Sequence, residues 1–230
     1  MADYAATRDR VEHYFDRSAT KTWERLTSDA PVSGVRATVR AGRDKMRALM
    51  LAQLPEDLRG ARILDAGCGT GAMAVELAQR GADVVAVDIS PALVGIAEKR
   101  MPANLAGHIT WVAGDMLDAT NGVFDHALAM DSMIYYSAPD IAALLGKASP
   151  RINGKFVFTL PPRTPALMAM WRVGKLFPRA DRSPTMIPQT TAGVANELRN
   201  ADVKGRLIEV ERIKSGFYIS NALVFEGGSK

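Results

Sequence analysis

The chain of 230 residues is 47% hydrophobic and 23% charged, with a formal net charge of +4, values typical of one globular domain and not of a disordered chain. One cysteine excludes an internal disulfide, and three histidines without a Cys/His cluster of metal-ligand spacing lead us to expect no metal site. The small net charge, without a dense basic patch, argues against nucleic-acid binding.

The N-terminal part of the chain predicts helices. Residues 5–27 alternate charges with aromatic side chains, which predicts one or two amphipathic helices, and residues 35–54 place methionines and other apolar side chains opposite several arginines. Pro55 to Gly60 ends this pattern, so we expect a helical arm over residues 1–55. The first residues mix charges of both signs without an apolar stretch, which is unlike a signal peptide. The single cysteine, Cys68, suits a reducing compartment, so we expect a cytoplasmic protein.

A regular alternation of strands and helices follows. Strands alternating with short helices predict parallel pairing in an α/β sandwich. Ser90 and Pro91 are a suitable N-cap and first residue for one of the helices. The strands are expected over 62–66, 83–88, 109–113, 124–130 and 152–159, and the helices over 71–80, 91–101 and 139–148.

The C-terminal third begins with an irregular segment. Residues 160–190 contain six prolines and a short stretch of Met, Trp and Phe, which fits either an irregular connection or a lid over a site; we favour the lid. A helix over 190–200 follows. Two strands, 206–213 and 217–225, flank Gly216 and predict a hairpin that places one strand antiparallel to the rest.

The segment RILDAGCGTGAMAVEL, residues 62–77, predicts a strand, a glycine turn and a helix. Such a turn is also found in dinucleotide-binding dehydrogenases, where it meets a pyrophosphate. Asp65, two residues before Gly67, would repel a pyrophosphate but suits an ammonium group. Asp88 ends the next strand, where a carboxylate can accept hydrogen bonds from ribose. Asp115 and Met116, after the third strand, suit an adenine amine and ring.

Together these residues resemble the class I S-adenosylmethionine-dependent methyltransferases, whose first motif matches Asp65 to Gly71. The resemblance implies a Rossmann-like sandwich, with a methyltransferase core over 56–230 and S-adenosylmethionine as cofactor, released as S-adenosylhomocysteine. Cys68 is interpreted as a small packed residue. The cofactor-binding residues implied are Asp65, Ala66, Gly67, Gly69, Asp88, Ile89, Asp115, Met116 and Met130.

The sequence offers no convincing general base. A sulfonium methyl group is already activated, so alignment of the acceptor is the main requirement. His13, His108 and His126 are interpreted as structural, which favours an acceptor ionised at neutral pH, such as a carboxylate with a pKa of about 4. A phenol or quinone precursor remains the alternative acceptor, and a scaffold that binds without catalysis is a third possibility.

Peripheral segments carry a second resemblance. Residues 12–26, 39–51, 130–136, 158–165 and 171–184 are similar to the magnesium-protoporphyrin IX O-methyltransferases of bacteriochlorophyll synthesis. The resemblance implies methylation of one propionate of a magnesium porphyrin, whose magnesium arrives with the substrate. It also implies that the protein acts beside magnesium chelatase and near the photosynthetic membrane. Any membrane contact is expected to be peripheral, through the arm or the lid.

A porphyrin needs an apolar slot and a few cations, and the sequence offers candidates for both. Each of them also fits ordinary packing or a solvated surface. Tyr135 is interpreted as a positioning group only, and Asp131 either contacts the cofactor or caps a turn. The slot is expected from Tyr14, Phe15, Trp23, Tyr136, Met168, Met170, Trp171 and Phe177, and the cations from Arg163, Arg172 and Lys175.

Overall fold

A computed structural model of the chain describes the greater part of both the arm and the core. Trp23, Met170, Trp171, Arg172, Lys175 and Phe177, all predicted to contact the acceptor, lie outside the described residues, as does most of the segment 166–184. The described residues are 2–16, 20, 24, 27, 34–165, 167, 168 and 185–227.

A seven-stranded sheet forms the centre of the described part of the chain, in the order β3-β2-β1-β4-β5-β7-β6. The first five strands pair in parallel, and β7 is antiparallel to both β5 and β6. This arrangement confirms the predicted α/β sandwich with a C-terminal antiparallel hairpin. The strands are β1 (Arg62–Ala66), β2 (Asp83–Asp88), β3 (His108–Ala113), β4 (His126–Ala129), β5 (Lys155–Leu160), β6 (Gly205–Ser215) and β7 (Tyr218–Gly227).

Helices flank both faces of this sheet. Ser90 caps one of them as predicted, because its Oγ accepts a hydrogen bond from the backbone N–H of Leu93 at 3.3 Å. The described helices are α1 (Ala2–Tyr14), α2 (Gly34–Leu51), α3 (Ala72–Gln79), α4 (Pro91–Arg100), α5 (Ala138–Ala148) and α6 (Thr191–Asn200). None of them is long and apolar enough to cross a membrane.

The sheet is buried on both faces, which explains why its inner strands are almost continuously apolar. Neighbouring residues of β1 point in opposite directions. Leu64 belongs to one hydrophobic cluster, which includes Ile141 of α5, and Ile63 belongs to a second, which includes Met46 of α2. Helix α2 therefore forms part of the packed core, and the predicted boundary at residue 55 stays a prediction.

The C-terminal hairpin is packed against α2. Gly216 adopts a φ of 56° in the turn, and the hydroxyl of Ser215 donates a hydrogen bond to the carbonyl of Thr38 at 3.0 Å. A Cβ at Gly42 would lie 2.8 Å from the Cβ of Tyr218, so the absence of a side chain lets α2 approach β7 closely. This contact fixes which face of α2 points toward the end of the sheet.

Candidate active site

A cavity of about 260 Å³ lies at the carboxyl ends of the parallel strands, where ligands bind in folds of this kind. Loops after β1, β2, β3 and β4 form one wall, and side chains from α1 and α2 form another. Ala66 is buried within β1 and does not line the cavity. The predicted cofactor residues that line it are Asp65, Gly67, Gly69, Asp88, Ile89, Asp115, Met116 and Met130.

The glycine turn lies with its backbone against the cavity. Gly67 and Gly69 have φ values of 82° and 55°, a region that favours glycine. The N–H groups of Gly67 and Cys68 both donate to the carbonyl of Val87, at 2.7 and 3.0 Å. A Cβ at position 67 would lie 2.3 Å from the Cβ of Ser132. The lack of space beside Ser132 and the positive φ therefore both require glycine at position 67.

Asp65 is buried at the bottom of this wall. Its Oδ2 has no hydrogen-bond partner among the described residues. Burial raises the pKa of Asp65 to about 7, and the nearby charge of Asp88 adds to the increase. A buried carboxylate oxygen without a partner is costly, even though the backbone at Ala74 hydrogen-bonds to the same carboxyl group. A cation in the cavity would therefore be stabilised strongly, and the ammonium group of S-adenosylmethionine fits this requirement.

Asp88 ends β2 and is held by backbone donors. Its Oδ2 accepts from the N–H of Gly69 at 2.8 Å, and its Oδ1 accepts from the N–H of Ser90 at 2.9 Å. Burial raises the pKa of Asp88 to about 6, although both N–H groups oppose the increase. A carboxylate has about four acceptor positions. Asp88 can therefore also accept a hydrogen bond from a ribose hydroxyl.

Asp115, on the predicted adenine side, is bound by helix α1. Its Oδ1 accepts from the hydroxyl of Tyr4 at 2.8 Å, and its Oδ2 accepts from Arg8 at 3.2 Å. The ring of Tyr4 stacks on Tyr136 with centroids 5.0 Å apart. Sequence reasoning missed Tyr4 and Arg8, because they lie more than 100 positions from Asp115.

Helix α2 adds a row of arginines that the sequence interpretation had treated only as a polar face. Arg40, Arg43 and Arg47 all line the cavity. Arg43 forms an ion pair with Asp131, and Arg47 pairs with Glu76. Their spacing of three and four positions places them on one side of the helix, and this spacing was the only available signal.

The described residues predicted to contact the acceptor are in different places. Tyr135 and Tyr136 line the cavity, and burial raises the pKa of both phenols, so both stay protonated. Tyr14 is half-buried and packs edge-on against Phe15, with the ring centroids 5.2 Å apart. Phe15 lines the cavity, whereas Tyr14 does not. Arg163 is exposed and is not among the lining residues.

None of the three histidines is among the residues that line the cavity. His13 and His108 are exposed, and Nδ1 of His126 accepts from the N–H of Lys155 at 3.0 Å. Cys68 is a lining residue, but burial raises the pKa of its thiol, so it is a poor nucleophile. The described residues contain no group that could hold a metal ion. The site therefore offers positioning, and its described residues offer no evident base.

Comparison with known proteins places these features in a family context. Residues 129–226 match the family described as "Magnesium-protoporphyrin IX methyltransferase C-terminus", and residues 63–152 match "Methyltransferase domain". The magnesium-protoporphyrin O-methyltransferase of Rhodobacter capsulatus is 53% identical over 97% of this chain and 98% of its own length. The Synechocystis enzyme of that name is 29% identical over 73% of this chain and 74% of its own.

A crystal structure shares the fold. It is magnesium protoporphyrin IX methyltransferase from Synechocystis with bound SAH, and the TM-score is 0.79 with 24% sequence identity. The alignment covers 96% of this chain and 99% of that one. The likeness therefore extends over nearly the whole chain.

Proposed function

The chain belongs to the magnesium-protoporphyrin O-methyltransferase family, and from this premise we propose that it transfers the methyl group of S-adenosylmethionine to a propionate carboxylate of magnesium protoporphyrin IX, giving the monomethyl ester. The observation that carries the proposal is the agreement between this membership and the site. A buried acidic cavity suits the cofactor, and it lies beside a wall of arginines and tyrosines that suits an anionic aromatic acceptor.

The residues of the cavity bind the two halves of the cofactor. Asp65 would hold its ammonium group, Asp88 its ribose hydroxyls, and Asp115 with Met116 its adenine. When bound, S-adenosylmethionine supplies a methyl group that is already activated on a sulfonium. The protein therefore has to align the acceptor and exclude water, which is catalysis by proximity.

The acceptor needs no base from the protein. A propionate has a pKa of about 4 and is ionised at neutral pH. Tyr135 and Tyr136 stay protonated and can donate hydrogen bonds, and we propose Tyr135 as a positioning group. The predicted acceptor contacts of Tyr14, Trp23, Arg163, Trp171 and Phe177 stay proposals.

The test is a direct assay. The protein is incubated with S-adenosylmethionine and magnesium protoporphyrin IX, and the product is separated by chromatography and identified by mass spectrometry. A monomethyl ester is expected. The dimethyl ester of magnesium protoporphyrin IX is the matched control and should not be methylated, because it has no free carboxylate. No product would contradict the proposal. If a phenol or quinone precursor is methylated instead, with a rate that rises steeply toward the phenol's pKa of about 10, the alternative acceptor is correct.

We also propose that the arm, residues 1–55, covers the site during turnover and that residues 160–190 act as a lid. The contacts of Tyr4 and Arg8 with Asp115, and of Arg43 with Asp131, support the first part. Removal of residues 1–30 is expected to reduce turnover more than it reduces the melting temperature. A globally unfolded product would mean instead that the arm is needed for core packing.

We propose peripheral membrane contact through the end of the hairpin. Phe217 is 69% exposed, and Val35 is 52% exposed at the start of α2, where the hairpin turn packs on Thr38. Two exposed apolar side chains near Arg36 and Lys214 suit an anionic bilayer surface. Sedimentation with anionic vesicles should be weakened by Phe217→Ser. Equal sedimentation of wild type and variant would contradict this role.

A contact with magnesium chelatase is a further proposal. The acceptor already contains magnesium, so a metal-insertion reaction must supply it. Direct transfer would limit the loss of a poorly soluble porphyrin. In a coupled assay with the chelatase, an added porphyrin-binding trap is expected to reduce ester formation only slightly. Complete inhibition by the trap would show that the intermediate is released into solution.

A further inference from the structure

One face of α2 brings a row of cations to the cavity. Arg40, Arg43 and Arg47 all line it, and they recur at the spacing of successive helical turns. Arg36 lies on the same helix but is exposed and is not a lining residue. Because the buried contacts of α2 with the sheet fix its rotation, this face cannot turn away from the cavity.

Arg43 differs from Arg47, which pairs with helical residues, because Arg43 forms an ion pair with a residue at the carboxyl end of the sheet. Its guanidinium pairs with Asp131, which directly follows Met130. The carboxylate of Asp131 also accepts from the hydroxyl of Tyr218 at 3.0 Å and from that of Thr159 at 3.1 Å. Helix α2, β5 and β7 thus all converge on one carboxylate.

The backbone of Asp131 is also unusual. Its φ of 56° lies in the left-handed region, which aspartate tolerates better than most residues. Its N–H donates to the hydroxyl of Thr159 at 2.8 Å, which fixes this conformation. The side chains of Arg43 and Asp131 are 18% and 9% exposed. A largely buried ion pair of this kind is weak evidence for stability, so we attribute its value to position.

We propose that Arg43, held by Asp131, binds a carboxylate of the acceptor and makes the site selective for porphyrins with free carboxylates. The proposal rests on the proposed function, which makes the acceptor a porphyrin dicarboxylate. A guanidinium carries several N–H donors in one plane, so it can hold two carboxylates at once. Asp131 is the positioning residue, with Thr159 and Tyr218 fixing its orientation.

Binding of two probes tests the proposal without turnover. Quenching of tryptophan fluorescence measures the affinity for protoporphyrin IX, which has free carboxylates, and for its dimethyl ester, which has none. Arg43→Gln is expected to weaken binding of the acid roughly ten- to hundredfold, as for a lost charged hydrogen bond, and to leave binding of the ester almost unchanged. Arg36→Gln is the matched control and should change neither affinity.

Two further variants guard against a general loss of structure. Arg43→Lys keeps the charge and the ion pair but loses the planar fork, so an intermediate loss of selectivity is expected. Asp131→Asn keeps a residue that tolerates the left-handed backbone but removes the anchor, so selectivity for the acid should fall. In each variant S-adenosylmethionine binding, measured by calorimetry, should equal that of wild type.

Steady-state kinetics completes the test. Arg43→Gln should raise KM for magnesium protoporphyrin with little change in kcat. If Arg43→Gln retains full preference for the acid over the ester, the proposal is wrong, even while wild type forms the monomethyl ester. If wild type forms no ester at all, the proposed function has failed instead. The two failures are therefore distinguishable.

Discussion

The two walls of the cavity are built in different ways. The cofactor wall, formed by Asp65, Gly67, Asp88 and Asp115, consists of the last residues of parallel strands and the loops that directly follow them. Most of its hydrogen bonds use main-chain groups, such as the N–H groups of Gly69 and Ser90 that donate to Asp88. The arm wall consists of side chains from α1 and α2.

The contacts of the arm wall span the chain. Tyr4 reaches Asp115 and Arg43 reaches Asp131, across 111 and 88 positions. The cofactor wall is therefore fixed by the main chain, whereas the arm wall depends on side-chain contacts that bind it to the sheet. Four predictions test this difference.

The largest effect is expected from Gly67→Ala in the cofactor wall. A left-handed φ of 82° costs a non-glycine residue about 1–3 kcal/mol, and the new Cβ would also collide with Ser132. Urea unfolding should show this loss, and calorimetry should show weakened cofactor binding. Gly60→Ala is the matched control, because Gly60 has a φ of 80° but nothing within 4 Å of its added Cβ. Equal losses in both variants would mean that the turn relaxes around the clash.

Asp65→Asn is expected to separate binding from stability. Loss of the charged partner for the ammonium group should weaken cofactor binding roughly ten- to hundredfold, about 1.5–3 kcal/mol. Without cofactor, the Asp65→Asn variant should be more stable than the wild type at pH 8. The raised pKa of Asp65 means that the folded state binds more protons than the unfolded state, so stability is lost as pH rises from about 4 to about 7. Thermal melting and calorimetry measure the two effects, and a loss of both affinity and stability would contradict the assignment.

Cofactor affinity should rise with pH in the wild type. The free protein holds a proton on Asp65 below a pKa of about 7, and on Asp88 below about 6. Binding of a cation favours the carboxylate, so the proton must leave. Affinity should fall by up to about tenfold per pH unit below this range. Calorimetry in two buffers of different ionisation enthalpy counts the protons released, and Asp65→Asn should flatten the dependence. A flat profile in wild type would place the ammonium elsewhere.

These differences also explain what the sequence could predict. The glycine turn, the Ser90 cap and the C-terminal hairpin depend on neighbouring residues, and the structure has each of them where the sequence indicated. The arm wall could not be predicted in this way. Arg40 and Arg43 look like the solvated side of an amphipathic helix, because sequence periodicity separates apolar from polar faces but cannot tell water from a polar cavity. Likewise, nothing near Tyr4 in the sequence points to Asp115.

Tyr4→Phe, in the arm wall, should have the smallest effect and therefore measures how firmly the arm is held. The change removes the hydrogen bond to Asp115 but keeps the ring that stacks on Tyr136. A hydrogen bond to a carboxylate that is partly exposed contributes about 1.5 kcal/mol, the lower end of the range for charged partners. Hydrogen exchange of α1 should therefore accelerate by up to about tenfold, whereas exchange in β1 and β2 should not change. His13→Gln is the control, since His13 is exposed on the same helix. If α1 exchanges equally in all three proteins, the ring stacking and Arg8, rather than the hydroxyl, hold the arm on the cavity.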